Sequence, residues 1–202
     1  MKDAVLKAIE VMTLSHSPRY VKKPENAWRK SKSDLPFAIH PLRVMRKVNT
    51  YLTDWVSSEP YRSKADLMLI VAALHDVIED TNYPVEYLEA EFGSEVIKGI
   101  KCLTNPSEDH PGLDRGVRKL MDRRHYKEIA PHWKIIKLWD RIDNVLDMLE
   151  FNHKFILEKY VPESRELEKV LRDADPFVGD QLINAIDWLE AITKGSRVKL
   201  SD

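Results

Sequence analysis

The chain contains few glycines, a single cysteine and no long apolar run. Six glycines in 202 residues disfavour the glycine-rich phosphate loops and tight turns of Rossmann folds and β-sandwiches. Cys102 alone excludes an intramolecular disulfide and is typical of a reducing compartment. The longest apolar run, Leu67 to Leu74, is far shorter than the about 20 residues of a membrane-spanning helix. Because charges are scattered through the N-terminal residues where a signal peptide is apolar, we expect a cytoplasmic protein with no membrane partner.

Composition and charge are those of an ordinary globular protein. Hydrophobic residues make up 43% and charged residues 32% of the chain, and the formal net charge is −1. Without an overall positive field, a nucleic-acid polymer is not expected as a partner. The length predicts one domain over residues 1–195, followed by a flexible C-terminal tail at 196–202. Composition leaves a monomer and a homodimer equally open.

Apolar residues recur at helical spacing along most of the chain, which predicts an all-α fold. Ser63 is expected to cap the most apolar helix, and Gly93 to separate two shorter ones. Residues 15–36 show no clear period, and residues 105–112 are typical of a loop. The predicted helices cover residues 2–14, 39–56, 63–79, 84–92, 94–103, 114–129, 131–150, 151–172 and 177–193.

Polar groups suited to a metal gather at the end of the most apolar helix. His75 and Asp76 follow directly after a buried-looking run, and Glu79 and Asp80 end the same segment. A carboxylate in such a setting costs free energy unless it is paired or bound to a metal. Imidazoles and carboxylates from different parts of a chain are the groups that build divalent-metal sites.

Two further positions complete a candidate ligand set. His40 stands directly before Pro41 at the start of its helix, and Asp140 interrupts an apolar stripe, with Asn144 one turn later. Other interpretations remain open at this point: His40 could cap a helix or lie in the core, and Asp140 could pair with Lys137 or Arg141. A histidine, then His-Asp, then an aspartate on three separate helices is the pattern of HD domains.

Four segments together resemble the hydrolase domain of the RelA/SpoT proteins: FAIHPLRVM, AALHDVIEDT, EFGSEVIKGIKCLT and IIKLWDRIDNVLDM. The resemblance runs from about Arg29 to Met148. It implies an HD-domain bundle of roughly eight to ten helices. It also implies manganese-dependent hydrolysis of the 3′-pyrophosphate of the nucleotides ppGpp and pppGpp, or of a close analogue such as ppApp. The small-molecule products are GDP or GTP and pyrophosphate.

The resemblance further implies a role for each matched residue. The implied metal ligands are His40, His75, Asp76 and Asp140, which hold Mn²⁺; Glu79 and Asp80 are the implied catalytic acids; and Arg29, Lys30 and Asn144 are the implied substrate-binding residues. Leu35 before Pro36 and Trp139 before Asp140 depart from the usual pattern. The departure at Leu35 keeps open an HD phosphatase or nucleotidase acting on NADPH, dNTPs or nucleoside monophosphates. A non-catalytic nucleotide-binding protein is a further alternative.

Overall fold

The computed structural model describes residues 2–22, 36–55 and 61–195, which form α-helices joined by short turns. Within these ranges no β-strand occurs, and Val21 and Thr81 form an isolated bridge, so the predicted all-α class is confirmed. The predicted basic pair, Arg29 and Lys30, and the predicted tail at 196–202 lie outside the described residues. No helix in the described ranges is both long enough and apolar enough to cross a bilayer.

The chain divides into two compact units, residues 1–113 and 114–202. A single domain over residues 1–195 therefore stays a prediction. The helices of the first unit are α1 (Lys2–Ser15), α2 (Ile39–Thr50), α3 (Ala65–Leu74), α4 (Val77–Asp80), α5 (Val85–Phe92) and α6 (Ser94–Leu103). A turn of π-helix (Tyr51–Trp55) extends α2, and 3₁₀ turns occur at Arg62–Lys64 and Pro106–Asp109.

Helix α3 is the central element of the first unit. Its buried residues are Met68, Ile70, Val71, Ala72, Ala73 and Leu74. A helix that is apolar nearly all round must be covered on several sides, and α1, α2 and α6 all pack against it. The end of α3 therefore lies in the core, where any polar group needs a compensating partner.

The predicted helix over residues 63–79 is wrong in two respects. Ser63 belongs to a 3₁₀ turn, and the residue before α3 is Lys64, which makes no side-chain cap. The helix also breaks at His75 and Asp76 before α4 begins. The Nδ1 atom of His75 bonds the Ala72 carbonyl at 2.8 Å. A continuing α-helix would give that carbonyl to the amide of Asp76, so the histidine competes with the helical hydrogen bond.

Gly93 separates α5 from α6, as predicted from the sequence. Its φ of 83° and ψ of 166° lie in a region that residues with a side chain rarely adopt. Its amide donates to the Glu89 carbonyl at 2.8 Å, which ends α5, and α6 begins at the next residue. The glycine therefore allows the chain to reverse with no intervening loop.

The second unit contains α7 (Arg115–Glu128), α8 (Pro131–Leu146), α9 (His153–Phe155), α10 (Val161–Leu171) and α11 (Pro176–Thr193). A turn of π-helix (Ile156–Tyr160) joins α9 to α10, so residues 153–171 are helical without interruption. Helix α8 packs against α10 and α11, and α7 packs against α10. Most of α8 is buried, including both lysines and both aspartates of its central turns: Lys134, Lys137, Asp140 and Asp143.

Candidate metal centre

Three of the predicted ligands lie together in the first unit. His40 is in the first turn of α2, and His75 and Asp76 occupy the break between α3 and α4. Ligand atoms of the three side chains all lie within 4.8 Å of one another. The two imidazoles are almost wholly buried, with exposed fractions of 1% and 2%. The fold thus gathers two nitrogen ligands and one carboxylate from two sequence-distant segments.

Distances within the cluster suit a single divalent ion. The Asp76 carboxylate lies 3.5 Å from Nε2 of His40 and 3.1 Å from Nε2 of His75. Two ligands that bind one ion at about 2.1 Å lie about 3.0 Å apart when they meet at a right angle. The spacing therefore leaves room for an ion between the three groups.

The tautomer of His75 gives an independent test of whether the cluster fits a cation. A carbonyl only accepts hydrogen bonds, so Nδ1 of His75 carries the proton that it donates to Ala72. In the neutral ring, Nε2 then has only a lone pair, and it faces the Asp76 carboxylate at 3.1 Å. Two acceptors at this distance repel unless a proton or a metal ion lies between them. A carbonyl bonded to the second nitrogen is also the usual way in which proteins orient a metal-binding histidine.

A third buried histidine stands close to the cluster. His16 follows α1, its Nδ1 donates to the Met12 carbonyl at 2.9 Å, and its ring stacks on Phe37 with the centroids 5.2 Å apart. Burial lowers the pKa of His16, and the charges that act on it come from Asp76, His75 and His40. His16 is therefore a neutral imidazole beside the candidate ligands.

The two predicted catalytic acids lie on the single turn of α4. The pKa of Asp80 is raised to about 8, mainly by burial and next by the neighbouring carboxylates of Asp76 and Glu79, against the charges of His75 and Lys22. Asp80 therefore keeps its proton at neutral pH. A divalent cation bound by Asp76 would offset the repulsion from that carboxylate and lower the pKa of Asp80.

A backbone pairing holds the end of α4 in place. Lys22 donates its amide to the Asp80 carbonyl at 2.9 Å, and Asn82 donates its amide to the Tyr20 carbonyl at 2.7 Å. The ammonium of Lys22 donates to the carbonyls of Ile78 and Glu79 at 3.0 and 2.7 Å. A cation at the C-terminal end of a helix satisfies carbonyls that have no helical partner.

The carboxylate of Glu79 is held from the end of α6. Asn105 donates its backbone amide to Oε2 at 3.2 Å, and its side-chain Nδ2 donates to Oε1 at 2.9 Å and to Oε2 at 3.2 Å. The two residues are separated by 26 positions in the chain. The carboxylate of one predicted catalytic acid is thus fixed by a segment that shares no secondary-structure element with it.

The fourth predicted ligand belongs to the second unit. Asp140 lies in the middle of α8, 4% exposed, with Lys137 at 2.9 Å and Asn144 donating to it at 2.6 Å. The pairing with Lys137 that the sequence left open is therefore present. The place of Asp140 among the metal ligands stays a prediction, as does the contact of Asn144 with the nucleotide ribose.

Comparison with known proteins identifies several pyrophosphohydrolases that are similar to this chain. No known family profile matches the chain. The guanosine-3′,5′-bis(diphosphate) 3′-pyrophosphohydrolase MESH1 of Xenopus tropicalis is 27% identical over 158 residues, which cover 76% of this chain and 81% of the relative. The guanosine-3′,5′-bis(diphosphate) 3′-pyrophosphohydrolase of Aquifex aeolicus is 26% identical over 176 residues, only 23% of its own length. The chain is a relative of the RelA/SpoT-type HD hydrolases.

A solved structure of a member of this group supports the fold. The structure of a metazoan orthologue of SpoT superimposes with a TM-score of 0.70 at 19% identity, and the match covers 92% of this chain and 94% of that protein. At this identity the likeness concerns the fold alone. It confirms the HD-type helical bundle that the sequence motifs predict.

Two residues of this candidate site were not predicted from the sequence. Asn105 and Lys22 reach α4 from segments 26 and 57 positions away in the chain. A polar amide directly before Pro106 was the only local sign of Asn105, and Lys22 stands in a stretch without a clear period. Hydrophobic periodicity carries no information on either contact.

Proposed function

We propose that this protein hydrolyses the 3′-pyrophosphate of ppGpp and pppGpp, releasing pyrophosphate with GDP or GTP. The observation that carries the proposal is the His40, His75 and Asp76 cluster, placed beside two further acids on α4. The names of the relatives supply the reaction, and the frog protein is matched over most of its length. A close analogue such as ppApp belongs to the same reaction class.

We assign the cofactor as Mn²⁺, held by His40, His75 and Asp76 together with Asp140. When bound, the ion lowers the pKa of water and neutralises charge on the pyrophosphate. Two imidazoles and carboxylate oxygens also suit other first-row divalent ions, so the choice of manganese rests on the family resemblance.

Glu79 and Asp80 act on the proton and position of the attacking water. The carboxylate of Glu79 accepts a proton from water as the oxygen attacks the phosphorus that carries the 3′-oxygen. The bond between that phosphorus and the 3′-oxygen breaks, and the 3′-oxygen takes a proton from solvent water to become a hydroxyl. Asp80, on the same turn as Glu79, helps to position the attacking water. Phosphoryl transfer depends on such positioning more than on covalent chemistry.

Arg29, Lys30 and Asn144 are assigned to the nucleotide. The basic pair neutralises phosphate charge, and Asn144 contacts the ribose. We further propose that the protein works in the cytoplasm, as a monomer or a homodimer. Its partner is a small nucleotide, and neither a nucleic-acid polymer nor a membrane takes part.

The test is incubation of purified protein with Mn²⁺ and ppGpp, with the products resolved by ion-exchange chromatography. GDP and pyrophosphate are expected, and EDTA should abolish both. Intact ppGpp together with hydrolysis of NADPH, a dNTP or a nucleoside monophosphate would replace the assigned substrate. Tight binding of ppGpp without turnover at saturating Mn²⁺ would indicate a non-catalytic binding protein.

A further inference from the structure

We propose that Asn105 is a positioning residue that holds the carboxylate of Glu79 in its working orientation. The inference rests on the proposed function, in which Glu79 accepts the proton of the attacking water. It adds to that function a residue that lies in the turn after α6, outside α4 and outside the ligand cluster.

The contact between the two residues is specific for a carboxylate. All three hydrogen bonds run from Asn105 to Glu79, one from the backbone amide and two from Nδ2, at 2.9 to 3.2 Å. An ionised carboxylate only accepts, so the NH₂ group of the asparagine must face it. Both oxygens are contacted, which fixes the rotation of the carboxylate as well as its position.

The backbone around Asn105 explains why its amide is directed at Glu79. Helix α6 has ended by this point, because the amide of Thr104 makes its last bond, to the Ile100 carbonyl at 3.0 Å. Pro106 follows, and a residue before proline is confined to extended backbone, here with φ −72° and ψ 118°. An extended residue directly after a helix presents its amide and side chain away from that helix.

The two ends of Glu79 are held by different segments. Lys22 bonds its carbonyl at 2.7 Å, and Asn105 bonds its carboxylate. A glutamate side chain has three rotatable bonds, and α4 is a single turn of helix. Fixing both ends removes that freedom before the substrate arrives. The effect is kinetic, because a displacement of about 1 Å in a reacting group costs about a hundredfold in rate.

The test is a double-mutant cycle of Asn105→Ala and Glu79→Ala, with kcat, KM and Mn²⁺ affinity measured for each protein. Asn105→Ala should lower kcat by about 10- to 100-fold, the range found for residues that orient others. KM and Mn²⁺ affinity should stay within about twofold of wild type, because the three bonds of Asn105 go to Glu79 and not to His40, His75 or Asp76. In the Glu79→Ala background the same change should have no further effect on kcat. Asn184→Ala, an exposed asparagine on α11, is the matched control.

Each other outcome overturns the proposal. Wild-type kcat in Asn105→Ala, or an equal loss in both backgrounds, shows that Asn105 does not act through Glu79. A loss confined to KM or Mn²⁺ affinity assigns it another role. If the wild type hydrolyses neither ppGpp nor any other nucleotide tested, the proposed function fails, and the positioning role fails with it. Thermal denaturation of the same four proteins then tests the contact itself. If the contact is structural, Asn105→Ala lowers Tm in the wild-type background and leaves Tm unchanged in the Glu79→Ala background. Without a contact, Asn105→Ala leaves Tm unchanged in both.

Discussion

Two aspartates, the half-buried Asp76 and the buried Asp140, carry the same predicted role in very different surroundings. Asp76 lies at a break between helices, with imidazole nitrogens at 3.1 and 3.5 Å and the carboxyls of Glu79 and Asp80 nearby. Asp140 lies inside a continuous helix, with the Lys137 ammonium at 2.9 Å and the Asn144 amide at 2.6 Å.

The difference shows how each charge is compensated. Around Asp76 three acids lie close together, and the charges that oppose them at Asp80 come from His75 and from the exposed Lys22. A bound cation would offset the repulsion among these acids. Around Asp140 a lysine already neutralises the carboxylate, so an ion must compete with Lys137 for it. The first region therefore gains more from a bound cation than the second.

Replacing Asp76, in the first region, should have the largest effect on metal binding and on activity. Asp76→Ala should abolish measurable Mn²⁺ binding and lower kcat/KM by more than about 100-fold. Loss of a residue that only orients a ligand costs about 10- to 100-fold. Manganese EPR and pyrophosphate release measure the two effects. Asp3→Ala, at an exposed aspartate in α1, should match wild type. If Asp76→Ala kept both Mn²⁺ binding and pyrophosphate release, the proposed difference between the two regions would be wrong.

Removing the lysine of the second region should make that region resemble the first. Lys137→Met leaves Asp140 without its cation, and breaking a buried ion pair costs about 3 kcal/mol or more. For a protein of this size, Tm should fall by roughly 6–12 °C in metal-free protein. Mn²⁺ should restore part of the loss if Asp140 is a ligand. Lys127→Met, at an exposed lysine in α7, is the control, and equal Tm values for the two variants would contradict the account.

Replacing Asp80 of the first region by a neutral residue should stabilise the metal-free protein. Asp80 has a pKa of about 8 in the fold against 3.8 as its ordinary value, so the folded chain binds more protons between these limits. Its stability therefore falls as the pH rises from about 4 to about 8. Asp80→Asn removes this pH dependence. It should raise Tm at pH 8 by roughly 4–8 °C, which corresponds to a gain of about 2 kcal/mol in the free energy of unfolding. Parallel Tm–pH curves for wild type and variant would refute the assignment.

Removing the exposed cation of the first region should have the smallest effect. Lys22→Met deletes the two ammonium bonds to the carbonyls of Ile78 and Glu79 and leaves the backbone pairing intact. Loss of solvent-exposed hydrogen bonds costs about 1 kcal/mol, so Tm should drop by about 2–4 °C. Steady-state assays should show a few-fold lower kcat. Lys98→Met, at an exposed lysine in α6, tests whether any lysine gives the same change.

Helix positions could largely be predicted from hydrophobic spacing, because most helices bury one face. Helices α5, α6, α7 and α11 begin and end within about two residues of the prediction. The break at His75 and Asp76 could not be predicted, since it depends on a side-chain bond to Ala72 that periodicity does not encode.

The ligand cluster was predictable because its residue types stand out against an apolar background. Three polar residues stand in otherwise apolar segments that are expected to be buried: His40, His75 and Asp76. The structure brings all three together. The residues that support the acids were not predictable. Asn105 and Lys22 are ordinary surface types in the sequence, and their contacts depend on how distant segments meet.

The most direct test of the central claim is a phosphorus NMR time course of ppGpp hydrolysis in oxygen-18-labelled water, with and without Mn²⁺. The account predicts pyrophosphate carrying one labelled oxygen, GDP without label, and no reaction in the metal-free sample. Release of inorganic phosphate, label in GDP, or an equal rate without a divalent ion would contradict it.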